Sequence, residues 1–342
     1  MKPITIVGGG LAGLTLGIGL RQRGVPVKIF EAGKYPRHRV CGEFISGRGQ
    51  RSLNQLGLGD QLIQAGGRVA ETAGFFSGNF SSPQNKLPEP ALCISRFALD
   101  NFLAEQFVQL GGQLNSNWRW SGNFGEGIVR ATGRRVQNSV AGWRYFGLKV
   151  HARNVELKAD LEMHFVENAY VGLCRISDDE INICGLFRTR TTLSDLATQW
   201  RDWLRGPRSS ALAKRLADAK FDENSFCSIA GLSLEPPAAF DYPECCIGDS
   251  LTMIPPVTGN GMSMAFESAE LALEPLAHFS DGKISWKEAQ QNIARRCGER
   301  FHSRLKWAQR LQKALFVPAV RQPLLFASRF PGAWPAFFSL TR

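Results

Sequence analysis

No run of apolar residues in the chain approaches the ~18 that a bilayer-spanning helix needs, and its eight cysteines form no C-x-x-C pair. The first absence excludes a spanning helix. The second argues against zinc and iron–sulfur sites, and Cys245 and Cys246, being adjacent, cannot form an ordinary strain-free bridge. A reduced, cytoplasmic protein is the expectation. His38, His151, His164, His278 and His302 show no metal-ligand spacing, so no metal is expected. No Ser–His–Asp arrangement stands out. There is no internal repeat, and glycines interrupt the apolar N-terminal stretch too early for a signal peptide. With 44% hydrophobic and 21% charged residues, the composition is that of a globular protein rather than a disordered or coiled-coil chain. Its 342 residues suggest about two domains.

Acidic residues are nearly missing from one region. From Arg295 to Arg342 the chain has ten basic residues and one acid, Glu299. That segment carries +9 of the formal net charge of +11. The rest of the chain is nearly neutral. No recognition motif accompanies the basic charge, so nucleic acid is not an expected partner.

Residues Pro3–Val7 read as a buried parallel strand, Leu11–Arg23 as a helix ended by Gly24, and Val25–Phe30 as a second strand closing at Glu31. This is a βαβ opening. Short antiparallel strands and turns are predicted over Val69–Leu92, a helix over Ser95–Leu110 and a short strand over Gly127–Ala131. From Tyr145 to Arg188 successive strand-like runs, with a hairpin turn at Asp178-Asp179, predict an antiparallel sheet. Leu193–Lys220 reads as helical, Cys246–Gly248 as a short strand, and another helix begins at Gly261.

Gly8-Gly9-Gly10-Leu11-Ala12-Gly13 contains G-x-G-x-x-G between the first strand and the first helix. Gly8 permits the tight turn, Gly10 lets a pyrophosphate approach the backbone, and Gly13 lets helix and strand pack closely. The helix start at Leu11 and Ala12 offers free N–H groups and a positive dipole end. Glu31 follows Gly8 by 23 residues, where an acid can hold the ribose hydroxyls of an adenine dinucleotide.

A second block runs Gly248-Asp249, then Pro255-Pro256-Val257-Thr258-Gly259-Asn260-Gly261-Met262. Together with the first, it resembles the paired motifs of FAD-dependent monooxygenases and geranylgeranyl-reductase-like flavoproteins. The resemblance implies FAD as cofactor, with Asp249 on the ribityl chain. It also implies that the helix from Gly261 aims its N-terminus at the flavin N1–O2 edge, where reduced flavin is anionic. Pro36-Arg37-His38-Arg39-Val40-Cys41-Gly42-Glu43 is similar to the P-R-x-x-x-C-G-E segment of the reductase-like branch. It implies that Arg39 and Cys41 lie beside the flavin and makes Cys41 and Glu43 the catalytic candidates. Ser95-Arg96 and Ala131-Thr132-Gly133 are similar to further cofactor-facing segments, the first implying that Arg96 approaches FAD and the second lying near the adenine half.

The resemblance fades in the substrate region. The Tyr-x-Trp-x-Phe-Pro signature of prenyl reductases is absent, as are the Trp-x-Trp-x-Ile-Pro and catalytic Lys of halogenases. Thr132-Gly133 stands where aromatic hydroxylases carry Asp-Gly, which leaves a dedicated nicotinamide site open. In the tail, Phe301, Leu305, Ala308, Leu311 and Leu315 recur at helical spacing, with Arg304, Lys306, Arg310 and Lys313 largely off that stripe. A basic amphipathic helix of this kind lies on an anionic membrane, covers an apolar substrate tunnel, or simply packs on the FAD-binding domain.

The expected fold is α/β with mixed α+β character. A Rossmann-like three-layer FAD-binding domain takes residues 1–70, 95–140 and 225–277. An inserted antiparallel substrate sheet takes 71–94 and 141–224, and amphipathic helices fill 278–342. The first expected function is a monooxygenase using NAD(P)H and O2 on a hydrophobic, aromatic or polyketide-like molecule. The alternatives are a reductase or dehydrogenase of C=C bonds in an isoprenoid or acyl chain, and a membrane-peripheral electron carrier.

Overall fold

The computed structural model describes residues 1–134, 142–191, 196–232, 234, 242–330 and 332–340. In chain order the elements begin with β1 (Ile4–Val7), α1 (Leu11–Gln22), β2 (Val27–Glu31), β3 (Phe44–Ile45), α2 (Arg48–Gln55) and α3 (Gly59–Gln64). β4 (Arg68–Ser77), β5 (Phe80–Ser81), β6 (Asn85–Cys93), α4 (Arg96–Gln109), β7 (Gln113–Ser116) and β8 (Ile128–Arg130) follow. Next come β9 (Arg144–Arg153), β10 (Leu161–Val166), β11 (Ala169–Arg175), β12 (Ile181–Thr189), α5 (Leu196–Arg205), α6 (Ala211–Arg215) and β13 (Lys220–Ala230). The chain continues through β14 (Cys245–Cys246), α7 (Gly261–Ser280), α8 (Trp286–Leu315), α9 (Pro318–Ala327) and α10 (Ala333–Leu340).

Among the described residues two sheets form. One has five strands in the order β14-β8-β1-β2-β7, all paired in parallel. Its short β-branched strands are covered by helices, as a parallel sheet requires. α1 is buried nearly all round. It packs beside α7, and its Gly17 and Gly19 let Phe107 of α4 and Leu273 of α7 approach closely.

The other sheet has nine strands: the path β13-β9-β12-β11-β10-β4-β6-β3, plus β5 against β4. It is mixed rather than wholly antiparallel, because β4 and β10 pair in parallel. The outer face of β9 sets Phe146, Leu148, Val150 and Ala152 in a core with Trp200 and Leu204 of α5 and Leu212 of α6. The alternate residues Gly147, Lys149 and His151 face the opposite side.

Two sequence expectations need correction. Leu193–Lys220 is not one helical stretch: α5 and α6 are separate, Lys220 already belongs to β13, and residues 192–195 lie outside the described residues. β13 pairs antiparallel with β9 across residue 225, so the boundary drawn there cuts a strand. Its polar sequence KFDENSFCSIA has no strand periodicity to announce it; pairing with β9 supplies the order. The boundary at 140/141 lies outside the described residues.

The apolar stripe of α8 is spent inside the protein. Phe301, Leu305 and Ala308 join the core around α7, and Leu315 joins a second cluster against the mixed sheet. Arg304, expected off the stripe, is buried and paired with Glu267 of α7 by two contacts of 2.6 and 3.0 Å. A capping box between Ser285 and Glu288 starts this 30-residue helix. Among the described residues no helix is long and apolar enough to cross a membrane.

Candidate cofactor site

The glycines of the first motif do different physical work. Gly8 has φ +111°, and a Cβ there would lie 2.1 Å from the Ala131 carbonyl oxygen. A Cβ on Gly13 would lie 1.9 Å from the Gly8 carbonyl oxygen. Both positions therefore hold strand and helix together. Gly10 is the opposite case: a Cβ there meets nothing within 4 Å. It is the N-cap of α1 and makes no side-chain cap bond. The first N–H groups of α1, at Leu11 and Ala12, have no intrahelical acceptor.

The second motif is packed onto the first. A Cβ at Gly248 (φ +59°) would lie 2.8 Å from Cβ of Ala12. Ser250 Oγ donates to the Gly133 carbonyl at 3.0 Å and lies 3.3 Å from Thr132 Oγ1. Gly259 (φ +61°) is closed off by the Phe44 ring, whereas a Cβ at Gly261 would meet nothing within 4 Å. Between them, Asn260 caps α7 without a side-chain cap bond, and Pro256 opens the preceding 3-10 turn. Met262, next in α7, is buried in the central core. The two open glycine positions thus coincide with the N-termini of two long helices, α1 and α7.

Charge completes the cradle. Asp249 is solvent-accessible yet enclosed deeply enough that desolvation pushes its carboxyl up to about 6, against the pull of Arg96 and Arg134. Arg96 opens α4 and binds the fully buried Asp100 at 2.7 and 2.9 Å. Burial alone would lower its guanidinium pKa; Asp100 reverses that and raises it. The exposed Arg39 has its pKa lowered by desolvation and by the positive charges of Arg37 and Arg96. Three arginines therefore share one side of the site, and an anion would relieve their mutual repulsion. The donor set, the open glycines and the enclosed carboxylate fit FAD: helix ends and arginines suit a diphosphate, and an acid suits ribityl hydroxyls.

Glu31 departs from the sequence expectation. It stands at the end of β2, but its carboxylate already accepts from the N–H groups of Gly9 at 2.8 Å and Gly33 at 2.7 Å, and from Arg37 at 2.7 Å. Burial would raise its pKa; these partners outweigh that and hold it at about 2. Both carboxylate oxygens are engaged within the chain, so contact with a ribose would have to share them. Cys41 and Glu43 are also poorly suited to catalysis. Burial raises the Cys41 thiol pKa, which disfavours the thiolate a nucleophile needs. Glu43 is fully buried, with φ +58°. It accepts from the Arg96 N–H at 2.9 Å, contacts His151 Nε2 at 2.7 Å and lies 3.5 Å from Lys149 Nζ. These contacts tie the Cys41–Ser46 segment to α4 and β9.

Lys149 was not singled out from the sequence, although the alternation Gly147-Lys149-His151 along β9 marks one face. Its Nζ lies 3.2 Å from His38 Nδ1. Burial, then the Lys149 charge, lowers His38 to about 4, so at neutral pH its imidazole is uncharged and can accept from Lys149. A separate cavity of about 240 Å³, lined by Arg48, Arg51, Glu267 and Arg300 among others, includes none of the cradle residues.

Residues 1–140 match the family model described as "FAD binding domain". The N-terminal part of the chain is therefore an FAD-binding domain. Monooxygenase 1 of Arabidopsis thaliana is 30% identical over 119 residues, covering 33% of this chain and 30% of that protein. The matched stretches span 15–30% of the curated relatives' own length. The fold is shared with the flavin-dependent brominase Bmp2 (TM-score 0.77, 16% identity, 99% of this chain and 93% of that one). It is also shared with PqsL of P. aeruginosa (TM-score 0.73, 14% identity, 95% and 99%). FAD is the cofactor of this flavoprotein.

Asp249→Ala is expected to have opposite effects on binding and on stability. Loss of a charged acceptor should weaken FAD roughly ten- to a hundredfold. The FAD-stripped variant should be more stable than wild type at neutral pH. A carboxyl whose folded pKa of about 6 exceeds its unfolded value of 3.8 loses stability as pH rises between them. The difference in melting temperature should therefore widen from about pH 4 to about pH 6 and then stay flat. Melts of the two stripped proteins across that range check it; a pH-independent difference would count against the enclosed carboxyl.

Proposed function

We propose that this flavoprotein is a monooxygenase of a hydrophobic, aromatic or polyketide-like small molecule, with NAD(P)H as electron donor and O2 as the oxygen source. The observation that carries the reading is an apolar, aromatic cluster on the inner face of the mixed sheet. It joins Phe165, Tyr170, Leu186, Leu315 and Phe316 to Val257, with Met253 packed against it. Met253 and Val257 belong to the segment that leads into α7 and its open glycine. An apolar, aromatic core is therefore continuous with the segment proposed to bind the flavin.

Bound FAD, once reduced, supplies the O2 chemistry. The chain's own residues bind, orient and exclude water. The N-terminus of α7 favours negative charge on whatever group it faces. Arg37, Arg39 and Arg96 offer positive charge to the diphosphate. Tyr170 donates its hydroxyl to Gln312 Oε1 at 3.0 Å, and burial keeps that hydroxyl protonated far above its ordinary pKa. The apolar lining keeps water from the reacting centre. No charged acid or base is needed in the cluster if the cofactor carries the hard step.

The test is isotopic. The FAD-loaded enzyme is given NAD(P)H, 18O2 and a panel of apolar phenols. Substrate-stimulated NAD(P)H oxidation, with label in a hydroxylated product, is the expected result. Anaerobic saturation of an isoprenoid C=C bond, with no label incorporated from any phenol, would replace this reading by the reductase.

A further inference from the structure

We propose that the outer face of α9, together with the basic end of α8, docks on an anionic lipid bilayer. The stripe that first suggested a membrane contact, Phe301 to Leu315, cannot serve, since it is largely buried against the rest of the chain. A second apolar face takes its place. On α9 the inner residues Arg321, Leu325 and Ser328 are buried, and Arg321 donates to the Val166 carbonyl at 3.1 Å. Exposed apolar residues lie on α9 and at its two ends: Val320 by 43% and Phe326 by 50% on the helix, Val317 by 46% at its N-cap and Phe330 by 57% just past its C-terminus. Pro318, Ala319 and Pro323 are exposed between them. Scattered exposed apolar residues are ordinary on a soluble surface; here Phe326 and Phe330 pack together, ring centroids 5.7 Å apart, beside the exposed apolar residues of α9, and such a cluster marks an interaction site.

Charge identifies the occupant. No acidic residue follows Glu299, so nothing on this segment opposes an anionic surface. Lys306, Arg310 and Lys313 are exposed on the last turns of α8, which lead directly to Val317. Arg310 lies 5.4 Å from the ring of the part-exposed Trp307. Arg329 lies over Phe326 at 5.5 Å and over Phe80 at 4.9 Å, and donates to the Ser81 carbonyl at 3.0 Å. Long cationic side chains beside aromatic rings suit the headgroup level, with apolar rings below and charge above. α9 has 10 residues, too few to span, so it lies on the surface. Its buried side also contributes Leu325 to the aromatic cluster of the sheet, so the lipid contact and that cluster lie on two sides of one helix.

The experiment uses the full FAD-loaded chain and sucrose-loaded vesicles, either pure phosphatidylcholine or with roughly a third phosphatidylglycerol. The wild type should sediment with the anionic vesicles, much less with the neutral ones, and be released near 1 M salt, where the Debye length is about 3 Å. Lys306→Gln, Arg310→Gln and Lys313→Gln should each weaken partitioning roughly fivefold. Phe326→Ser with Phe330→Ser should weaken it on the order of tenfold or more. Both sets change exposed side chains, and unchanged melting with full FAD content confirms that the fold is kept. Wild type remaining in the supernatant overturns the proposal, as does sedimentation that the phenylalanine pair leaves unchanged. A dimer in light scattering that the same pair abolishes, without vesicle binding, assigns the face to a second copy instead.

Discussion

Gly10→Val is expected to give a folded protein that contains no FAD. The argument rests on where a side chain would go. Gly10 has φ −86° and ψ −171°, an extended conformation open to any residue. A Cβ there touches nothing within 4 Å. Valine therefore costs the fold little but stands over the first free N–H groups of α1, where a diphosphate would bind. Gly8 and Gly13 make the contrast. At Gly8 any side chain combines a φ of +111° with a 2.1 Å approach to the Ala131 carbonyl oxygen. At Gly13 the obstacle is the Gly8 carbonyl oxygen at 1.9 Å. Backbone cannot give way cheaply, so Gly8→Ala and Gly13→Val should lose stability as well as cofactor. The check is paired: flavin absorbance after purification, and urea unfolding of each variant. Gly10→Val retaining full flavin occupancy would refute the placement. Gly13→Val as stable as wild type would refute the packing.

The difference between these glycines could be read in outline from the sequence, because strand, G-x-G-x-x-G and helix appear in order at short range. The same holds for β9 to β12, whose alternation and Asp178-Asp179 turn are local signals. What stayed hidden depends on distant parts of the chain meeting. β13 is polar, and only its ladder with β9 makes it a strand. Arg304 looked like a solvated face until α7 brought Glu267 to it. Lys149 and His151 alternate as an exposed face would, yet β9 is buried on both sides because the Pro36–Ser46 segment folds over it. Glu31 carried the expected acid at the expected spacing, but Arg37, six residues on, claims its carboxylate. Spacing reports where a side chain stands; it does not report which neighbour reaches it first.

The same burial makes Glu43 the second position with a large expected effect. Glu43→Ala should destabilise the protein by about 3–5 kcal/mol, a fall in melting temperature on the order of 10 °C. Lys149 and Glu43 are both fully buried. Removing the carboxylate leaves the Lys149 ammonium away from water, with the uncharged His38 at 3.2 Å as its remaining close partner of the two. It also strips an acceptor from the Arg96 N–H at the start of α4 and a partner from His151. The charge can be separated from the hydrogen bonds. Glu43→Gln keeps an oxygen for the Arg96 N–H while losing the charge, so it should cost less than alanine. Lys149→Met alone should also destabilise, because it leaves the Glu43 carboxylate buried without its cation. Combined with Glu43→Gln it removes both charges, and part of the lost stability should return, since neither charge is then left buried without its counter-charge. A double-mutant cycle from urea unfolding measures this. A coupling near zero would mean that the two charges do not stabilise each other, and Glu43 would then act only as the hydrogen-bond clamp between the Cys41–Ser46 segment and α4.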